Sequence, residues 1–291
     1  MSLMSDSILT LSGVTKRYPA FTLENVSFSL PRGYIMGFVG QNGSGKTTTI
    51  RCMLNNTRLS AGEISVFGMD SVRQETAIKS RIGAVYDACF FAGNLNARGV
   101  AAVMRGFYPK WDDKLFKGYC ERFSLPARTK VKAYSKGMQM KLMLAAALSH
   151  RAELLVLDEP TSGLDPVARD LLLDTLSEYI ADGEGSVLFS THITSDIERI
   201  ADYVTVLDRG RVWYTGTKDD LMEKFVIVRG AEHDLPEQLR TQCIGLHLRG
   251  GSFETLLDAG HTMSLPDTVV YEKPTIDEMV VAIAREGEKH A

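Results

Sequence analysis

A chain of 291 residues with 44% hydrophobic and 24% charged residues has the make-up of a globular protein of about two domains. Its longest unbroken apolar run is seven residues, 142–148, against about 20 for a membrane-spanning helix. Its first residues, MSLMSDSILT, lack the basic and apolar regions of a signal peptide, so we expect a cytoplasmic product.

The net charge is −3, with 33 Lys+Arg and 36 Asp+Glu, and no basic excess marks a nucleic-acid binder. Residues 230–291 carry 5 Lys+Arg and 11 Asp+Glu, a net of −6. We therefore expect a main unit over 1–229 and an accessory region over 230–291. The four cysteines, Cys52, Cys89, Cys120 and Cys243, form no C-x-x-C pair and are expected to be reduced and mostly buried.

Along the chain, Val26, Phe28 and Leu30 alternate with serines, the period of a half-buried strand. Pro31-Arg32-Gly33 is a turn signal, and the apolar residues of 35–39 predict a short buried strand. A glycine-rich loop follows, then a helix over about 47–54. Short strands are expected around Ile64, Val66, Ile82 and Val85. Residues 94–150 change character and predict a helical insert, with helices over 95–107, 114–123 and 136–149. From Glu153 strands and helices alternate again, which points to a parallel α/β core. Strands are predicted over 154–157 and 187–189. Asp165 is placed to cap a helix that has Pro166 at its first position. Ser195 and Glu198 read as a capping box for the next helix. Asp208-Arg209-Gly210 reads as a hairpin turn between strands 204–207 and 212–214. The last predicted element is a helix containing Met279, Val280 and Ile283.

Gly40-Gln41-Asn42-Gly43-Ser44-Gly45-Lys46-Thr47 fits G-x-x-x-x-G-K-[ST] between a strand and a helix. Glycines let the backbone N–H groups of such a loop turn inward onto phosphate oxygens, and the helix N-terminus favours negative charge. Lys46 is expected to reach the β- and γ-phosphates, and the Thr47 hydroxyl to ligate Mg²⁺. The second piece lies 112 residues after Lys46, where the apolar run 154–157 delivers Asp158 and Glu159. Asp158 suits Mg²⁺ held through water, and Glu159 suits the orientation of an attacking water.

These residues resemble the ATP-binding subunits of ABC transporters over about 8–229. The resemblance rests on the loop GQNGSGKTT, on Tyr134-Ser135-Lys136-Gly137-Met138 as a variant signature motif, on the run Leu157-Asp158-Glu159-Pro160-Thr161-Ser162-Gly163-Leu164-Asp165, and on Ser190-Thr191-His192. It implies a P-loop NTPase core with an antiparallel β subdomain, a helical subdomain at about 88–150 and a small α+β extension. It implies ATP and Mg²⁺ as ligands and ATP hydrolysis as the activity. Asn42, Gly43, Ser44, Gly45, Thr48 and Gly40 would join Lys46 and Thr47 around the phosphates. Glu159, His192 and Lys46 would be catalytic. Ser135, Gly137, Met138 and Asp165 would face the nucleotide of a second subunit. Tyr18 sits where the family places an adenine-stacking aromatic, and is equally suited to end a strand. The variant signature and the final PTIDE run, 274–278, are similar to exporters of amphipathic peptides and of bacitracin or lantibiotics. A separately encoded permease and a second ATPase subunit are the implied partners, at the cytoplasmic face of the cell membrane. A single P-loop and the lack of heptad runs speak against ABC-type ATPases of translation or chromosome maintenance.

The signature departs from the common LSGGQ at Tyr134, Lys136 and Met138. The family usually places Gln where this chain has Asp87. An aspartate there brings a full negative charge, to bind Mg²⁺ directly, to act through water, or to stand in solvent. Phe90, Phe91, Tyr108 and Trp111 are the expected anchors of a docking surface on the helical insert, or else part of the core.

Overall fold

The computed structural model describes residues 7–289. Strands β1 (Ser7–Tyr18) and β2 (Phe21–Pro31) form an antiparallel hairpin. Then come β3 (Ile35–Val39), α1 (Lys46–Met53), β4 (Ala61–Val66), β5 (Met69–Asp70), α2 (Glu75–Lys79) and β6 (Ile82–Val85). The insert contributes α3 (Ala97–Phe107), α4 (Asp113–Arg122) and α5 (Lys136–Ser149). The core resumes with β7 (Leu154–Asp158), α6 (Pro166–Ile180), β8 (Ser186–Thr191), α7 (Thr194–Ile200), β9 (Tyr203–Asp208) and β10 (Arg211–Thr217). The chain closes with α8 (Lys218–Lys224), β11 (Phe225–Ala231), β12 (Ile244–Arg249), β13 (Ser252–Asp258), β14 (Val270–Glu272) and α9 (Ile276–Lys289).

Three sheets result. The first, in order β2-β1-β4-β5, is antiparallel. The second, β10-β9-β3-β8-β7-β6, is parallel except for β10. Its central strands β3, β7 and β8 are buried at every residue, as expected of strands covered on both faces. The third, β12-β13-β11-β14, is antiparallel.

Local chemistry sets most element ends. Asp165 Oδ1 accepts from the N–H groups of Val167 and Ala168, with Pro166 at the first helical position. Asn96, Asp112 and Ser135 cap α3, α4 and α5 in the same way. Arg209 and Gly210 both have positive φ, as a two-residue hairpin turn requires. The apolar run 142–148 is core, for α5 is buried on all sides from Leu142 onward.

One expectation fails locally. The capping box at Ser195 does not form, because α7 starts at Thr194. Thr191 Oγ1 accepts from the Ile193 N–H and turns the chain early. Ser195 Oγ instead accepts from Arg169, and Glu198 Oε1 accepts from the Ile276 N–H. The five-residue helix α2 was not foreseen, being too short to show a period.

The charge boundary at 230 falls inside β11, so the third sheet opens at Phe225. One face of that sheet has its own small core around Val228, Phe253 and Leu257. Helix α9 lies on the other side and buries Ile276, Met279 and Ile283 in the same cluster as Ile197, Val204 and Leu221 of the main unit.

Candidate functional site

The loop after β3 is shaped by its glycines. A Cβ on Gly40 would sit 2.2 Å from the Leu207 carbonyl oxygen, and one on Gly45 would sit 2.9 Å from Phe21 Cζ. Gly45, at φ 112°, is the N-cap of α1 and offers no side chain to the first-turn N–H groups. Those donors are left open to an anion. Lys46 Nζ donates to the carbonyls of Gly40 (2.7 Å) and Gln41 (3.3 Å), folded back over its own loop. Ser44 Oγ is buried with no hydrogen-bond partner.

Asp158 ends β7 and is 5% exposed. It accepts from Ser190 Oγ at 3.1 Å and from the Thr47 hydroxyl, yet burial still pushes its carboxyl upward. Glu159 has φ 52°, a left-handed backbone uncommon outside glycine. Its N–H donates to the Ser190 carbonyl. Its Oε2 lies 2.6 Å from His192 Nδ1, and its Oε1 lies 3.6 Å from Lys46 Nζ. Where Nδ1 carries the imidazole proton it donates to this carboxylate. Burial lowers the pKa of Lys46, and Glu159 and Asp158 oppose that shift.

These groups stand at the carboxyl ends of β3, β6, β7 and β8, where open parallel sheets bind ligands. They line an open cleft of about 690 Å³. Asn42, Gly43, Gly45, Lys46, Thr47, Thr48, Asp87, Asp158, Glu159 and His192 share it. Thr47 and Asp158 are oxygen donors suited to a hard cation, and the raised carboxyl of Asp158 fits a site that a cation completes. The open α1 terminus fits a phosphate chain.

Other expected residues lie elsewhere. Gly40 and Ser44 are buried beneath the loop. Ser135, Gly137 and Met138 open α5 outside the cleft lining, and Ser135 Oγ accepts from the Met138 N–H. Asp165 is exposed at the start of α6. Tyr18 is 40% exposed beneath the Lys16 ammonium, also outside the lining. Sequence reasoning missed Ala20, Phe21 and Ser162, which do line it. Phe21 pairs with Tyr18 across the hairpin turn, a placement that no local motif records.

A second hollow of about 220 Å³ separates the insert from the core, lined by Tyr86, Phe90, Met104, Tyr108, Met143 and His150 among others. Phe90 is 53% exposed at it, whereas Phe91 is buried. Trp111 packs on Phe116 and donates to Asp113, outside the lining. Among the described residues no disulfide pairs the cysteines, and Cys89 is the partly exposed one.

Residues 23–162 match the ABC transporter family. A daunorubicin resistance ATP-binding protein of Streptomyces coeruleorubidus is 35% identical over 229 residues, spanning 75% of this chain and 71% of that one. A bacitracin transport ATP-binding protein of Bacillus licheniformis is 32% identical over 212 residues, spanning 71% and 68%. A solved ATP-binding subunit of an ABC transporter superposes with a TM-score of 0.68 at 28% identity, over 74% of this chain and 92% of that one. The chain belongs to the ATP-binding proteins of ABC transporters. It is an ATPase of that class, and subunits of the class work with separate membrane-spanning subunits. Among the described residues no helix is long and apolar enough to cross a membrane.

Proposed function

We propose that this chain powers an exporter of amphipathic or antimicrobial peptides by ATP-driven closure of two nucleotide-binding subunits. The observation that carries its ATPase core is the Glu159 carboxylate held between Lys46 and His192 at the mouth of the P-loop. In this reading Lys46 turns from its own loop carbonyls to the β- and γ-phosphates, which the α1 N-terminus also holds. Thr47 and Asp158, with Asp87 at the cleft edge, would hold Mg²⁺, whose charge offsets that of the phosphates. Glu159 accepts a hydrogen bond from the attacking water, and His192 fixes the carboxylate that does so. Phe21 is the aromatic best situated to meet the base, alongside Tyr18.

Ser135, Gly137, Met138 and Asp165 complete the site of a second copy or a paralogue. The γ-phosphate then bridges two chains, so ATP favours the closed pair through differential affinity. We assign the ATPase unit to 1–229, with the helical subdomain at about 88–150, and the accessory region to 230–291. The hollow beside Phe90 and Tyr108 is the proposed seat of the permease, which holds the chain at the cytoplasmic face of the membrane. A relative named for daunorubicin resistance favours drug efflux as the second reading of the cargo.

Glu159→Gln tests the core of the proposal. We expect ATP binding to persist, the closed dimer to accumulate in size-exclusion chromatography, and turnover to stop. Steady-state hydrolysis near the wild-type rate would sink it. The cargo is tested by stimulation of ATPase activity in the reconstituted complex, with amphipathic peptides against daunorubicin-like drugs.

A further inference from the structure

The two departures from the common family pattern that flank the site touch each other. Asp87 follows β6 and lines the cleft. Lys136 is the first residue of α5, and its Nζ lies 2.5 Å from Asp87 Oδ1. The partners are 49 positions apart, one on the core and one on the helical insert. Lys136 is an unfavourable choice for its local position. A cation at a helix N-terminus opposes the helix dipole, and α5 has no acidic residue in its first turn. The Asp87 carboxylate supplies the missing negative charge from outside the helix. The stem of Lys136 lies over the turn after Glu159, with Cδ 3.6 Å from where a Gly163 Cβ would stand. Both side chains are about half exposed, at 46% and 57%. A pair so exposed shifts an equilibrium by no more than about fivefold, so it exchanges partners readily.

We infer that Lys136 is a positioning residue of the nucleotide site: it holds the Asp87 carboxylate off the metal while the cleft is empty and yields it when Mg²⁺-nucleotide enters. The inference rests on the reading of the cleft as an Mg²⁺-ATP site. Its consequence has a definite sign. Mg²⁺ must compete with an ammonium for Asp87, so removing the ammonium makes Mg²⁺ bind more tightly.

The test is binding of a fluorescent ATP analogue to the full chain while Mg²⁺ is titrated, with no turnover required. Lys136→Met is expected to lower the half-saturating Mg²⁺ concentration by about two- to fivefold, and Lys136→Arg to leave it at the wild-type value. Asp87→Asn is expected to raise it, and Lys136→Met added to Asp87→Asn is expected to change nothing further. An unchanged or raised Mg²⁺ requirement in Lys136→Met, or the same shift with and without Asp87, overturns the inference. Thr47→Ala separates the two levels. If wild-type binding ignores Mg²⁺, or Thr47→Ala leaves the Mg²⁺ dependence intact, the cleft reading falls and this inference with it. If Thr47→Ala weakens the Mg²⁺ dependence while Lys136→Met is silent, only the role of Lys136 falls.

Discussion

Two clefts of similar size lie on this molecule, and they differ in how their buried and paired charges are met. The cleft on the third sheet encloses about 760 Å³ and is lined by Arg229, Arg249, Glu254, Glu272 and Arg285 among others. Arg229 is satisfied on every nitrogen. Its Nε meets Glu254 at 3.0 Å, and its other two nitrogens meet Glu272 and Glu278. Arg285 meets Glu254 from the other side at 3.1 Å. The pairing pushes Arg229 up and Glu254 down, the directions that stabilise both charges. In the P-loop cleft burial pushes Asp158 up and Lys46 down, the directions that oppose both charges. Volume does not separate the two clefts; the state of their ionised groups does.

The largest effects should follow from groups at the P-loop cleft. Glu159→Gln is expected to lower kcat by about 10²- to 10⁴-fold, the range of a general base, with nucleotide affinity retained. Lys46→Ala removes a charge-assisted contact to phosphate and should weaken ATP binding about 10- to 100-fold, measured by fluorescent-nucleotide titration. Unchanged affinity would remove Lys46 from the phosphate site.

Unmet charge should also leave a trace on stability. Asp158 has its folded pKa raised, so its contribution is favourable at low pH and is lost as pH rises through that pKa. At neutral pH the ionised group destabilises the nucleotide-free chain. Asp158→Asn should therefore raise the nucleotide-free Tm by roughly a few degrees while abolishing any rise in Tm on adding Mg²⁺-ATP. A lowered Tm would mean that the Thr47 and Ser190 contacts outweigh desolvation. His150 has the opposite sign. It is 1% exposed, stacked on Tyr108 with centroids 4.0 Å apart, and its pKa is depressed by burial from 6.5 to about 4. Its contribution is present above pH 6.5 and is lost as pH falls towards about 4. The loss amounts to about 3 kcal/mol at most. His150→Phe keeps a stacked ring and should flatten the stability profile between those limits. A profile unchanged by the substitution would assign the acid sensitivity to carboxylates.

The sequence revealed the P-loop cleft far better than its surroundings, for a physical reason. Glycines at 40 and 45, the Lys46-Thr47 pair and an apolar strand ending in Asp158-Glu159 act through local backbone geometry, which spacing records. The strands and long helices were legible because burial imposes a period on them, and α5 matched the predicted 136–149. What spacing does not record is contact across long separations. Asp87 and Lys136 were each visible as anomalies, but their pairing required the fold. Phe21 was hidden because the hairpin, not the local sequence, turns it to the cleft. Thr191 defeated the Ser195 capping box by starting α7 early. The charge asymmetry at 230 marks the acidic region but not where the third sheet begins, at Phe225, because hydrogen bonding within β11 ignores side-chain charge. Nor did it reveal that α9 buries its apolar face in the main core.

The smallest expected effect is the sharpest check on the comparison of the two clefts. Glu254→Gln removes the charge shared by Arg229 and Arg285. Arg229 keeps Glu272 and Glu278, so the fold should persist with a loss of about 1 kcal/mol, or about 2 °C in Tm. Glu254 Oε2 belongs to a compensated network, and we expect kcat and the Mg²⁺ dependence to stay within about twofold of wild type, since an exposed pair is worth about 1 kcal/mol or less. The measurement is a melting curve beside a steady-state ATPase assay on the same preparation. A fall in ATPase activity without a fall in Tm would mean that the third sheet feeds the nucleotide site. The route would then run through α9, where the Ile276 N–H and Asp277 engage Glu198 and Thr194 on the helix that follows His192. Compensated charge would in that case be no guide to the absence of function, and the contrast between the clefts would fail.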